Sequence, residues 1–223
     1  MKYLHLLILL AACFGRLCAG EAAPATEHPQ PVNIFILRTA VQVGNPHVLT
    51  YRVGEWEQDR GRWVPFDVGY YDTGYGQDQM WFAGGGVVPA AGPRFRWEQE
   101  IFVLQEAGPQ SRNRRALWIW PVVDLQPRRR LSAQIAAYPT FPLDRAEHWS
   151  YDIDRAKLEW SATKHWRGGA GYSGGLCGGA SWSSEPFLTV TRSTRAGNFE
   201  FWLQKTSGSG QVQMRYALVR GEH

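Results

Sequence analysis

Serine, histidine and a carboxylate are the parts of a hydrolytic triad. In this 223-residue chain His148-Trp149-Ser150, with Glu159 downstream, brings all three into one short stretch. If the stretch is a strand, His148 and Ser150 point to the same side, as proton transfer between them would require. If it is a loop, they are an exposed histidine beside an ordinary serine, and this simpler reading is preferred. A second set of residues is charged throughout: Arg96, Glu98, Glu100, Lys157, Glu159, Glu200 and Arg215. They could line a pore and select a charged solute, form an ion-pair network that fills a narrow lumen, or make the wet face of a soluble sheet. The filled lumen is preferred to conduction.

Other chemistries find less support. The run Gly168-Gly169-Ala170-Gly171, followed by Gly174-Gly175 and Gly178-Gly179, lacks the Lys-Ser/Thr ending and the helix of a phosphate-binding loop. Close strand packing or sheet curvature is its expected role. The six histidines are scattered without metal-ligand spacing, so neither a metal nor another cofactor is expected. Tyr71 to Asp78, with tyrosines beside Asp and Gln, could stack on sugar rings or be an aromatic turn. Cys177 sits among glycines with no His or Asn close in sequence and reads as a small buried or lipid-facing residue.

Strands must position these residues. In 198–220 a Ser-Gly-Ser-Gly tip separates two alternating runs. Phe199, Phe201 and Leu203 oppose Glu200, Trp202 and Gln204; Val212, Met214, Tyr216 and Leu218 oppose Gln213 and Arg215. The same period of two recurs in Arg94 to Gln105, where Gln99 and Phe102 break it, and in Ala156 to Trp166, Leu131 to Ala137 and Leu49 to Val53. About twelve strands are predicted, beginning at Val32. Short turns at Asp59-Arg60-Gly61, Ala91-Gly92-Pro93, Gln126-Pro127-Arg128 and Arg195-Ala196-Gly197 alternate with longer polar links at 107–115 and 140–154.

Eleven Trp, nine Tyr, ten Phe and 24 Gly suit curved β structure. A net charge of +4 in mixed order is no nucleic-acid footprint, and Arg128-Arg129-Arg130 reads as a turn. Met1 to Gly20 reads as a signal peptide, 21–31 as an unstructured leader and 32–223 as one β domain. Cleavage after Gly20 leaves Cys177 as the sole cysteine; the competing lipobox-like Leu10-Ala11-Ala12-Cys13 would instead anchor the chain through an acylated Cys13. No later segment is long and apolar enough for a transmembrane helix.

Alternation alone suits either an outer-membrane barrel or a soluble periplasmic β-sandwich or jelly roll that binds a glycan or protein. Long strands, aromatics near strand ends (Trp56, Trp63, Tyr70-Tyr71, Trp81, Trp166, Trp182) and the rhythm of turns favour the barrel. Pro65, Pro121, the final Arg220-Gly221-Glu222-His223 and a segment 116–125 apolar on both faces argue the other way. Phe187 to Arg220 and Phe66-Asp67-Val68-Gly69-Tyr70-Tyr71 resemble the strands of small bacterial outer-membrane β-barrel proteins. The resemblance implies an all-β, closed antiparallel barrel of about 10–12 strands in the outer membrane. Its implied role is structural or solute-related and non-enzymatic, and its partners are membrane lipid and, through the envelope, lipopolysaccharide or glycan. Some outer-membrane barrels that deacylate lipopolysaccharide carry a His-x-Ser pair with a Glu downstream, which His148, Ser150 and Glu159 could match. Here Tyr151 replaces the small polar residue that usually follows such a Ser.

Overall fold

A computed structural model describes residues 31–43, 45–73, 78–108, 114–144, 149–177, 180–206 and 209–221, and the side chains of 45–50, 73, 78 and 221 are not described. Twelve strands run in chain order: β1 (Val32–Gln42), β2 (Asn45–Asp59), β3 (Trp63–Thr73), β4 (Asp78–Gly92), β5 (Phe95–Ala107), β6 (Arg115–Arg128), β7 (Leu131–Pro142), β8 (Ser150–Ser161), β9 (Trp166–Cys177), β10 (Glu185–Thr194), β11 (Gly197–Lys205) and β12 (Gly210–Gly221). Each pairs antiparallel with its neighbours in sequence, and β1 pairs with β12 from Val32↔Gly221 to Gln42↔Gln211, closing a barrel. The predicted class is therefore observed, and the sandwich is excluded because no strand edge is left unpaired.

Closure gives the alternation its meaning. Along β11, Phe201 and Leu203 face outward and are exposed, while Glu200, Trp202 and Gln204 face inward and are buried. The register sets Phe201 opposite Met214 and Glu200 opposite Arg215, so both hairpin faces agree with the sequence pattern. Leu37, Ile101, Val103, Leu158, Leu188 and Val190 also lie bare on the outside. An apolar surface of that extent matches lipid rather than water. Trp63, Trp81 and Trp166 stand outward near strand ends, where girdles lie. Connections 60–62, 93–94, 129–130, 162–165 and 195–196, of two to four residues, share one end of the barrel; 43–44, 74–77, 108–114, 143–149, 178–184 and 206–209, three of which have seven residues, share the other. Short turns mark the periplasmic side of outer-membrane barrels. Gly61, at a φ of 80°, closes one such turn and donates its amide to Asp59 at 2.6 Å.

Four local expectations change. β8 begins at Ser150 within the expected link, and a bulge at Asp154, where its registers with β7 and β9 both slip, hides the period from the sequence. β9, expected from Gly169 to Trp182, runs from Trp166 to Cys177, which is free and exposed. Tyr51 and Val53 face the interior rather than lipid, and outward Arg52 is held at 2.6 Å by its register partner Asp72. Tyr71 likewise points into the lumen. The prolines that argued against a barrel are accommodated. Pro65 lies in the register slip between Val64 and Asp67, and Pro121 falls where the β6–β7 ladder lapses between Trp118 and Val122.

Candidate functional site: a partitioned lumen

The inward-facing side chains form two storeys. Toward the long-loop end, Phe82 packs edge-on to Phe102 at 5.5 Å, and Trp118 and Trp120 lie 5.0 and 5.1 Å from Tyr138. This explains why 116–125 is apolar on both faces: Leu117 and Ile119 look outward while Trp118 and Trp120 fill the lumen. It also explains Phe102 as an exception in its strand, since that residue belongs to the interior cluster. Glycines make the room. A Cβ on Gly171 would fall 2.3 Å from the Phe187 ring, which stacks on Trp202 at 3.9 Å.

Charges occupy the rest. Lys157 on β8 reaches across to Glu200 on β11 and to Glu159 at 3.2 Å, while Arg215 approaches Glu200 at 3.8 Å. Glu200 also accepts from Trp202 Nε1 at 2.7 Å, and Glu159 from the Thr191 hydroxyl at 2.7 Å. Arg96 joins Glu98 at 2.6 Å and Asp59 at 2.9 Å. All seven charged residues singled out in the sequence thus face the interior, six of them in ion pairs and Glu100, among the described residues, outside any.

Sequence reasoning missed the contact that spans the barrel. Arg38 on β1 donates to Asp154 on β8 at 2.9 Å, and these strands stand five apart one way round and seven the other. The β8 bulge turns both Asp154 and its neighbour Arg155 inward, where they pair with each other. Arg155 donates on to Gln134 at 2.6 Å, and Gln134 to Asp124 at 2.8 Å. The Arg38 guanidinium also lies over the Trp202 ring at 5.6 Å. The available signal was that Arg38 is the one charged residue of β1.

This crossing divides the lumen into chambers. One of about 220 Å³ on the long-loop side, with Tyr51, Trp118 and Asp152 in its wall, meets a middle one of about 200 Å³ at Arg38 and Trp120. Arg96 and Arg215 separate the middle chamber from a vestibule of about 470 Å³ at the short-turn end. Seven carboxylates and four guanidinium groups line the middle chamber.

The serine–histidine–glutamate candidates are not brought together. His148 lies outside the described residues; Ser150 and Glu159 sit near opposite ends of β8, roughly 30 Å apart at ~3.3 Å per residue. The Ser150 hydroxyl instead donates to Asp152 at 3.3 Å. Of the candidate sugar-stacking stretch, 74–77 lie outside the described residues.

No protein-family model matches the chain, and no curated protein matches it in sequence. Solved structures do match in shape. A KdgM porin aligns with a TM-score of 0.55 at 11% identity over 85% of this chain and 99% of the porin. A NanC porin gives 0.57 at 6% identity over 85% and 100%. The COG4313 outer membrane channel from Pseudomonas putida F1 gives 0.55 at 9% identity over 90% and 100%. At such identities the likeness is one of fold. Together with the apolar outer band it makes this chain an outer-membrane β-barrel.

Proposed function

We propose that the protein is a narrow, non-enzymatic outer-membrane channel, closed at rest by the Arg38–Asp154 crossing, that passes small neutral or cationic solutes. The observation that carries this reading is the series of three chambers separated by ion-paired arginines, since a purely structural barrel has no need of linked cavities. Seven carboxylates against four guanidinium groups in the middle chamber oppose an anion. Aromatic rings beside Asp152 and Glu185 in the first chamber offer stacking faces and acceptors to a saccharide or an organic cation. One of the similar structures is a KdgM porin in complex with disordered oligogalacturonate, a polyanion. The acidic middle chamber argues for a different substrate charge here.

Planar-bilayer recording tests the proposal. The native protein should show small or rare openings, Arg38→Ala should raise the open probability, and reversal potentials in a salt gradient should report cation preference. An Arg38→Ala barrel that folds but conducts no more than the native protein would refute a gate at this position. Ser150→Ala should leave any solute flux unchanged.

A further inference from the structure

We propose that the wall of the middle chamber holds a divalent cation, calcium by preference, bound by Glu55 and Glu57 of β2 and Asp67 of β3, with Glu100 of β5 facing it in the same chamber. The expectation of no metal rested on histidine spacing and did not consider carboxylates. One carboxylate oxygen from each of Glu55, Glu57 and Asp67 lies within 4.8 Å of the other two. Oxygens on opposite sides of a calcium ion stand about 4.6–5.2 Å apart, so three oxygens this close can share one ion. A set of protein carboxylates suits calcium, which takes about six to eight oxygen ligands, better than magnesium, which keeps several waters, and an all-oxygen donor set suits a hard cation.

A second observation concerns hydrogen bonding rather than spacing. Oε1 of Glu100, a residue 3% exposed, and Oδ1 of Asp67, 2% exposed, are buried with no hydrogen-bond partner. Buried carboxylate oxygens are costly to leave unpaired, so each calls for a partner. The register explains how they converge. Asp67 lies opposite Glu57 on one side and Gly84 on the other, and Glu100 lies opposite Gly86. β4 therefore presents bare backbone between β3 and β5, and the two carboxylates share the chamber across it.

Protein cations answer the charge only in part. Arg38 and Arg155 pair with Asp154, Arg96 with Asp59 and Glu98, and Arg215 with Glu200. Among the described residues no ion pair reaches Glu55, Glu57, Asp67 or Glu100. A divalent ion would satisfy the orphaned oxygens and offset the mutual repulsion of four carboxylates on neighbouring strands.

The full chain, refolded in detergent and stripped with chelator, is titrated with terbium while tryptophan is excited. Trp120 lines the same chamber, so bound terbium should luminesce and calcium should quench it by competition. Calcium should raise the thermal unfolding midpoint by roughly 5–10 °C at a hundredfold excess over its Kd. Asp67→Asn/Glu100→Gln should lose that shift, weaken binding more than about tenfold, and melt above the native protein in chelator because repulsion is relieved. Glu57→Gln, the milder change, should weaken calcium more than about tenfold and serves if the double variant does not fold. Asp144→Asn, on the exposed rim, should behave as the native protein and controls for surface binding. Equal midpoints in calcium and chelator, no saturable luminescence, or undiminished affinity in Glu57→Gln would each overturn the proposal.

Discussion

Replacing Glu200 by glutamine keeps the shape of a side chain 4% exposed and removes only its charge. From the sequence it would be an inexpensive change unless Glu200 has a buried partner, and the structure supplies several. Lys157, the Trp202 indole at 2.7 Å and Arg215 at 3.8 Å all face its carboxylate. Hydrogen bonds to a charged group contribute about 1.5–3 kcal/mol each, and stranding a buried partner costs about 3–5 kcal/mol. Lys157 keeps Glu159 at 3.2 Å, which relieves part of that cost, whereas Arg215 loses its ion pair. Glu200→Gln should therefore destabilise the barrel by about 3 kcal/mol. Lys157→Met should cost more, since it leaves Glu159 and Glu200 together without the cation between them. Reversible urea unfolding in lipid vesicles, followed by tryptophan fluorescence, gives both values, and the double variant gives their coupling. A Glu200→Gln loss below about 1 kcal/mol with no coupling to Lys157 would refute the reasoning.

Met214, outward and opposite Phe201, should resist charge: Met214→Arg should cost about 2–4 kcal/mol in a bilayer. With Cys177 replaced, single cysteines at 201 and 214 should react with a lipid-phase reagent and those at 200 and 215 should not. A Cβ on Gly84 would lie 2.1 Å from the Ile101 carbonyl oxygen, so Gly84→Ala must move backbone. It should cost about 1–3 kcal/mol and lower the temperature at which gel migration changes. On the long-loop rim, the Arg115 amide and guanidinium hold the Asp144 carboxyl below the usual carboxylate range. A lowered folded pKa means this tie is present above the unfolded pKa and is lost as pH falls through the folded one. Hydrogen exchange at the Arg115 amide should therefore accelerate only at pH below the ordinary carboxylate range.

The terminal hairpin was fully legible because period two runs unbroken on both arms, so Glu200 and Arg215 could be assigned to one face without knowing the fold. β8 was not. Its bulge inserts Asp154 into the alternation, and three aspartates in 144–154 made Tyr151 and Ile153 look like parts of a polar link. The apolar doubling of β6 pointed to burial on both sides, which is correct in packing; which side is lipid and which is lumen depends on closure, a long-range fact. Arg38–Asp154 and the carboxylate cluster escaped for the same reason. Each joins strands whose angular positions around the barrel no local pattern specifies.

The ladder between β1 and β12 differs from the other eleven in time as well as in place. Every other ladder joins strands consecutive in the chain and can form once its hairpin exists. The closing one joins Val32 to Gly221 and must await nearly the whole described chain. Until then a sheet with all its other ladders made still presents two sticky margins, those of β1 and β12, ready to pair with any strand they meet. Completion of the barrel is thus one late event. Arg38 rides on one of those margins, so its bridge to Asp154 acquires a fixed span only when the seam shuts, and the lumen cannot be partitioned before the molecule is whole.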